Sequence, residues 1–132
     1  MLGRIAGRVM ISVLAAATLA GAAFAAEFKP YSDKAFAQAQ AEGRSILIEV
    51  HAWWCSTCNA QEPALHKAAK DPAFDNVIIF KMDYDREKKA RQTLQIQQQS
   101  TLISYFGAQE RGRSIGMTDS YNIGNMLRLT LK

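Results

Sequence analysis

Cys55 and Cys58 stand two residues apart, directly behind Trp53 and Trp54, and they are the only cysteines in the 132-residue chain. The apolar run Ser45 to Val50 ends just before them, and a helix-like pattern begins within them. A strand that delivers Cys-x-x-Cys to the start of a helix leaves few folds open. It puts the first thiol where unpaired backbone N–H groups and the helix dipole favour a thiolate. The second thiol lies one turn deeper, close enough to close a disulfide. So short a loop is a poor staple, because the restraint on the unfolded chain grows with loop length. The pair reads as a redox switch.

Residues 1–25 have the make-up of a secretory signal peptide. Arg4 and Arg8 come with no acid, Val9 to Ala20 is apolar, and Ala23-Phe24-Ala25 fits the A-x-A cleavage rule. Cleavage after Ala25 is expected. An uncleaved anchor is the alternative, but the apolar run falls short of the roughly 20 residues that span a bilayer. Residues 26–132 suffice for one domain with one core. With Arg4 and Arg8 set aside, 14 of the 16 basic residues remain against 12 acidic ones. That near-neutral balance, without a run of bases, gives no footing for nucleic acid. A periplasmic or secreted monomer is expected, in a compartment where a thiol pair is exposed to oxidants.

Along the chain, Ala26 to Tyr31 is a lead-in containing Pro30. Ser32 is placed to cap a helix that carries Phe36 and Ala39 and ends at Gly43. Ser45 to His51 reads as a buried strand, with Leu47, Glu49 and His51 on one face and Ile46, Ile48 and Val50 on the other. Glu49 is the anomaly in so apolar a strand. A helix kinked by Pro63 runs from Ser56 to about Lys70. Val77 to Asp83 is a second buried strand, interrupted by Lys81. Asp85 should cap a short helix with Ala90 and Leu94. Strands at Thr101–Phe106 and Arg111–Met117 follow, then a last helix from Thr118 or Asp119. The order is α-β-α-β-α-β-β-α. It predicts an α/β domain, a central mixed sheet of four strands with a fifth short one allowed, and helices on both faces.

These residues resemble the thioredoxin family over essentially the whole of residues 26–132. Ile46 to Cys58 is similar to the family's strand, Trp-Cys-x-x-Cys and helix start, and Pro63 to its helix-kinking proline. Lys81-Met82-Asp83-Tyr84-Asp85 looks like its second central strand. Thr101-Leu102-Ile103 and Gly116 match its terminal hairpin. The tryptophan before the first cysteine also resembles the C-terminal domain of the transmembrane thiol:disulfide interchange protein.

The resemblance implies a thiol-disulfide oxidoreductase. Cys55, which opens the helix and should be the more exposed, attacks a substrate disulfide; Cys58 resolves the mixed disulfide and leaves Cys55–Cys58 oxidised. Glu49 occupies the place of the family's buried acid and would serve as base for Cys58, with Lys81 as its partner. The competing reading is a purely structural Glu49–Lys81 pair. Trp54 and Trp53 are expected to meet the substrate, with Gln99, Ser100 and Thr101 opposite. Ser56 and Thr57 replace the family's Gly-Pro, so the reduction potential should differ from the thioredoxin value of about −270 mV.

Ser100 departs from the family pattern, which has a cis-proline there. A non-proline cis bond costs about 3–4 kcal/mol, so a trans Gln99–Ser100 bond, or a strained cis one with a functional cause, is expected. Ser100 would then add a hydroxyl and a backbone N–H opposite Cys55 and make the substrate ledge polar. His51 and His66 invite a zinc reading with the cysteines, but His66 is roughly 12 Å along the helix at 1.5 Å per residue, and three ligands do not close a structural site. No cofactor or metal is expected. The preferred function is an exported reductase of protein disulfides, recharged by an electron donor in the membrane. The alternatives are a net oxidant or isomerase, or a non-catalytic module that docks a partner or binds metal through its thiols.

Overall fold

The computed structural model of the chain describes Gly3 and residues 25–132. The expected signal peptide lies outside the described residues, save for Gly3 and Ala25. Among the described residues no helix is long and apolar enough to cross a membrane.

The elements are β1 (Glu27–Pro30), α1 (Asp33–Ala41), β2 (Ser45–His51), α2 (Ser56–Ala68), β3 (Ile78–Asp83), α3 (Lys88–Thr93), β4 (Thr101–Phe106), β5 (Gln109–Ile115) and α4 (Ser120–Arg128), with a 3₁₀ turn at Pro72–Phe74. They form one five-stranded sheet in the order β1-β3-β2-β4-β5. β1 and β2 both pair parallel to β3, whereas β4 runs antiparallel to β2 and β5 antiparallel to β4. The fifth strand is the lead-in segment, joined in register Glu27↔Ile78 to Pro30↔Lys81. Proline stands at its last position on the sheet edge, where a missing N–H is tolerated.

Local chemistry sets the boundaries. Ser32 caps α1 by accepting the Ala35 N–H at 3.1 Å. Gly43, at φ +68°, closes it with Gly43 N–H bonded to Gln40 O and Arg44 N–H to Ala39 O, the paired bonds of a Schellman turn. α2 continues through Pro63 to Ala68. α3 begins later than expected, at Lys88, because Asp83 rather than Asp85 accepts the turn amides of Asp85 and Arg86. Leu94 is its C-cap. β5 starts at Gln109, two residues before the expected Arg111, and stops at Ile115.

The alternation of β2 is realised as expected. Ile46, Ile48 and Val50 join Phe36 and Ala39 of α1, Ile78, Phe80 and Met82 of β3, Ala90 of α3 and Ile103 of β4 in one apolar cluster. Leu47 faces the other side, with Leu65 of α2, Ile79, Leu102 and the α4 residues Ile123, Met126 and Leu127. Helices α1 and α3 thus cover one face, α2 and α4 the other. Burying each Leu or Ile contributes roughly 1.5–3 kcal/mol, and the sheet is stabilised by both layers. The loop after β2 carries the cysteines, at the carboxyl ends of the parallel strands β2 and β3, where open α/β sheets place their chemistry.

Candidate active site

Cys55 is the N-cap of α2, and its Sγ accepts the Cys58 N–H at 3.1 Å. A disulfide joins Cys55 and Cys58, with their Cα atoms 5.2 Å apart. Cys55 is 4% exposed and Cys58 0%. The order of accessibility matches expectation, but the first thiol is recessed, not open. Ala52 and Tyr84 complete the small apolar nest around the pair. The carbonyl of Val50 lies 3.8 Å from Cys58 Sγ.

Trp53 and Trp54 are 79% and 48% exposed. Trp54 donates Nε1–H to Asp85 Oδ2 at 2.9 Å and meets the Tyr84 ring edge-on, 6.3 Å between centroids. Tyr84 is itself clamped, its hydroxyl donating to Gln97 O at 3.2 Å and its ring under the Arg91 guanidinium at 3.8 Å. The chain Trp54–Tyr84–Arg91 therefore fixes one wall beside the disulfide. Trp53 stands free of it, as a surface residue.

Glu49 is 1% exposed, and neither carboxylate oxygen has a hydrogen-bond partner. Lys81 lies beside it in the β2–β3 register, yet its Nζ goes to Glu62 Oε1 at 2.6 Å. The expected Glu49–Lys81 pair is not formed, because Glu62 reaches over from α2 and takes the ammonium. His51 Nε2 lies 3.4 Å from the other Glu62 oxygen. Burial raises the Glu49 pKa from 4.5 to about 7; the Glu62 charge adds to the rise and Lys81 opposes it. Burial acts upward on Glu62 too, but the Lys81 hydrogen bond and charge, with His51 and His66, bring it below its ordinary value. The environments of two neighbouring carboxyls thus push their pKa values apart, Glu62 down and Glu49 up toward neutrality.

Both groups line a cleft of about 370 Å³ together with Phe28, His51, His66 and Lys81. His66 stacks flat on Phe28, with centroids 4.0 Å apart and planes at 7°. The two histidines belong to this cleft on the α2 face. Among the described residues no group of three or more His, Cys, Asp or Glu side chains is arranged to hold a metal ion.

Ser100 keeps the expected trans bond but not the expected free backbone N–H. Among the described residues no peptide bond is cis, so Gln99–Ser100 is trans. Ser100 is instead left-handed, at φ +59°. Its backbone N–H donates to Val50 O at 2.8 Å, so that group is not offered to a substrate. Its carbonyl accepts from Gly116 N–H at 3.0 Å and from Gln61 Nε2 at 3.1 Å. A non-glycine residue there stores on the order of 1–3 kcal/mol of strain. Thr101 also turns inward: it is buried, and its hydroxyl donates to Gln98 O at 2.6 Å. Gln99 is half-buried in the turn between them.

Gln61, Glu62 and Asp85 were not among the expected site residues. Gln61 and Glu62 follow Cys58 by three and four positions on α2, the spacing that keeps side chains on one helix face. That spacing was the available signal for both. Asp85 had none beyond its place two residues after β3.

The thioredoxin family model matches residues 27–128. The chain belongs to the thioredoxin family. A thioredoxin of Chlamydia trachomatis serovar D is 31% identical over 88 residues, 67% of this chain and 83% of its own length. A thiol:disulfide interchange protein of Pseudomonas fluorescens biotype C is 32% identical over 60 residues, 46% of this chain and 32% of its own. Among solved structures, the protein Trxlp of Edwardsiella tarda EIB202 superposes with a TM-score of 0.74 at 42% identity, covering 76% of this chain and 98% of its own. As a thioredoxin-family member with an intact Cys-x-x-Cys, the protein is a thiol-disulfide oxidoreductase. Its sheet of five strands and its cysteine-capped helix are the family's fold.

Proposed function

We propose that this thioredoxin-family enzyme is exported and reduces protein disulfides, with Cys55 as nucleophile, Cys58 as resolving thiol and Glu49 as proton carrier. The observation that carries the mechanism is Glu49, a buried carboxyl with no hydrogen-bond partner, poised near pH 7 and adjacent to Val50, whose carbonyl lies 3.8 Å from Cys58 Sγ. In the reduced enzyme the Cys55 thiolate, at the α2 N-terminus, attacks one sulfur of a client disulfide. A Cys55–client bond forms and the other client sulfur leaves as a thiolate. Glu49 then takes the Cys58 proton, directly or through one water of its cleft. The Cys58 thiolate attacks Cys55, closes the disulfide and expels the second client sulfur. Two electrons have passed from the dithiol to the client.

Export rests on residues 1–25, with Arg4 and Arg8 ahead of the apolar run and cleavage after Ala25. In an oxidising compartment the dithiol must be regenerated, so a dithiol donor in the membrane completes the cycle. The reduced enzyme is expected to reduce insulin disulfides, and Cys58→Ser to accumulate a Cys55–insulin mixed disulfide. An enzyme that neither reduces insulin nor traps it would refute the reading. Fractionation of cells making the full chain should give a mature N-terminus at Ala26.

A further inference from the structure

The loop that enters β4 beside the cysteines is fastened by a side chain of the cysteine helix itself. Gln61 is fully buried on α2, three residues after Cys58. Its Nε2 donates to two carbonyls, Ser100 O at 3.1 Å and Met117 O at 2.8 Å. Ser100 enters β4 and Met117 follows β5, so one amide group ties α2 to both ends of the terminal hairpin. Gly116, left-handed at φ +75°, turns its N–H onto the same Ser100 oxygen. On the other side, Ser100 N–H is bonded to Val50 O, the carbonyl that also lies against Cys58 Sγ.

Two features show that the donor end of Gln61 matters more than its bulk. First, Gln61 Oε1 is buried without a hydrogen-bond partner, a penalty that an apolar residue of the same size would avoid. Second, the backbone it grips is a non-glycine residue in the left-handed region, a conformation that persists only where its surroundings over-determine it. Three hydrogen bonds converge on the Ser100 backbone to do so.

We infer that Gln61 is a positioning residue for the polypeptide substrate: its carboxamide holds Ser100 in the left-handed geometry that sets the Gln99–Ser100 edge against the disulfide. The inference rests on the reductase reading for the identity of the substrate. A protein disulfide must be laid along that edge before Cys55 can reach it. A small disulfide reaches Cys55 without touching it.

The test uses the whole mature protein with Gln61→Leu, and Gln61→Met as a second, unbranched replacement should leucine not fold. KM for insulin should rise about tenfold, a loss of roughly 1.4 kcal/mol. The kcat, the rate with a small aromatic disulfide and the Cys55–Cys58 reduction potential should stay within twofold or unchanged. Amide hydrogen exchange at Ser100 and Gly116 should accelerate at least tenfold. In a Ser100→Gly background, where left-handed backbone is unstrained, removing Gln61 should raise KM by much less. Unchanged KM and unchanged exchange would overturn the inference, as would an equal loss with insulin and with the small disulfide. Should the wild-type enzyme leave insulin untouched, the reductase reading fails; slow exchange at Ser100 and Gly116 in Gln61→Leu would separately defeat the clamp.

Discussion

The two faces of β2 are built from the same strand and do opposite things. Toward α1 and α3 the strand presents Ile46, Ile48 and Val50, all fully buried in a cluster with no charge among its members. Toward α2 and α4 it presents Leu47, then Glu49, then His51, and the layer opens into the cleft shared with Glu62, His66 and Lys81. One face stabilises. The other gives up part of that stability to keep a carboxyl out of water and without a hydrogen bond. A period of two is what lets seven residues serve both ends.

If the faces differ in this way, substitutions on them should separate stability from chemistry. Ile48→Ala, on the apolar face, should lose about 2–5 kcal/mol of unfolding free energy. Its pH–activity profile and reduction potential should match the wild type. Denaturant titration beside insulin turnover checks both, and a shifted profile would mean that the faces are coupled.

Glu49→Gln should do the reverse. Turnover above pH 7 should fall on the order of 100-fold, the usual contribution of a positioned base, and should lose its rise through about pH 7. Stability should respond with the opposite sign from an ordinary paired carboxylate. The folded pKa is raised, from 4.5 to about 7, so between those values the folded state binds the more protons. Stability from this group is fully present below about pH 4.5 and is lost as pH rises through 7. The loss is about 2–4 kcal/mol at one pKa unit per 1.36 kcal/mol. The wild-type urea midpoint should therefore fall further between pH 5 and pH 8 than that of Glu49→Gln, which has no carboxyl to ionise.

The smallest effect belongs to Glu62→Gln. It removes the like charge beside Glu49 and frees the Lys81 ammonium, and both changes favour ionised Glu49. The activity profile should move to lower pH with little change at its plateau. A move to higher pH would show that Lys81 follows Glu62 rather than acting on Glu49.

The sheet, the cysteine helix and the in–out pattern of β2 were legible because long apolar runs with period two have few other fates. β1 was not. Glu27 to Pro30 is four residues long, exposed and ends in proline, and only its distant partner β3 makes it a strand. The Glu49–Lys81 pairing shows the limit at the site. Register brings the two residues side by side, but whether a helix residue competes for the ammonium depends on how α2 lies across the sheet. Gln61 was missed for a related reason: polar residues in a helix read as solvent-facing, and only the packed structure shows two carbonyls waiting for its amide. The sequence did single out Ser100, yet gave no sign that its N–H would be spent on Val50.

The central claim is that the α2-facing side of β2 holds a buried carboxyl poised for proton transfer. Selective ¹³C labelling of glutamate and NMR titration of the oxidised protein would follow the Glu49 carboxyl carbon alone, with Glu49→Gln to assign it. The account predicts a midpoint near 7. A midpoint at 4.5 or below would contradict it and leave Glu49 a buried residue without a part in the chemistry.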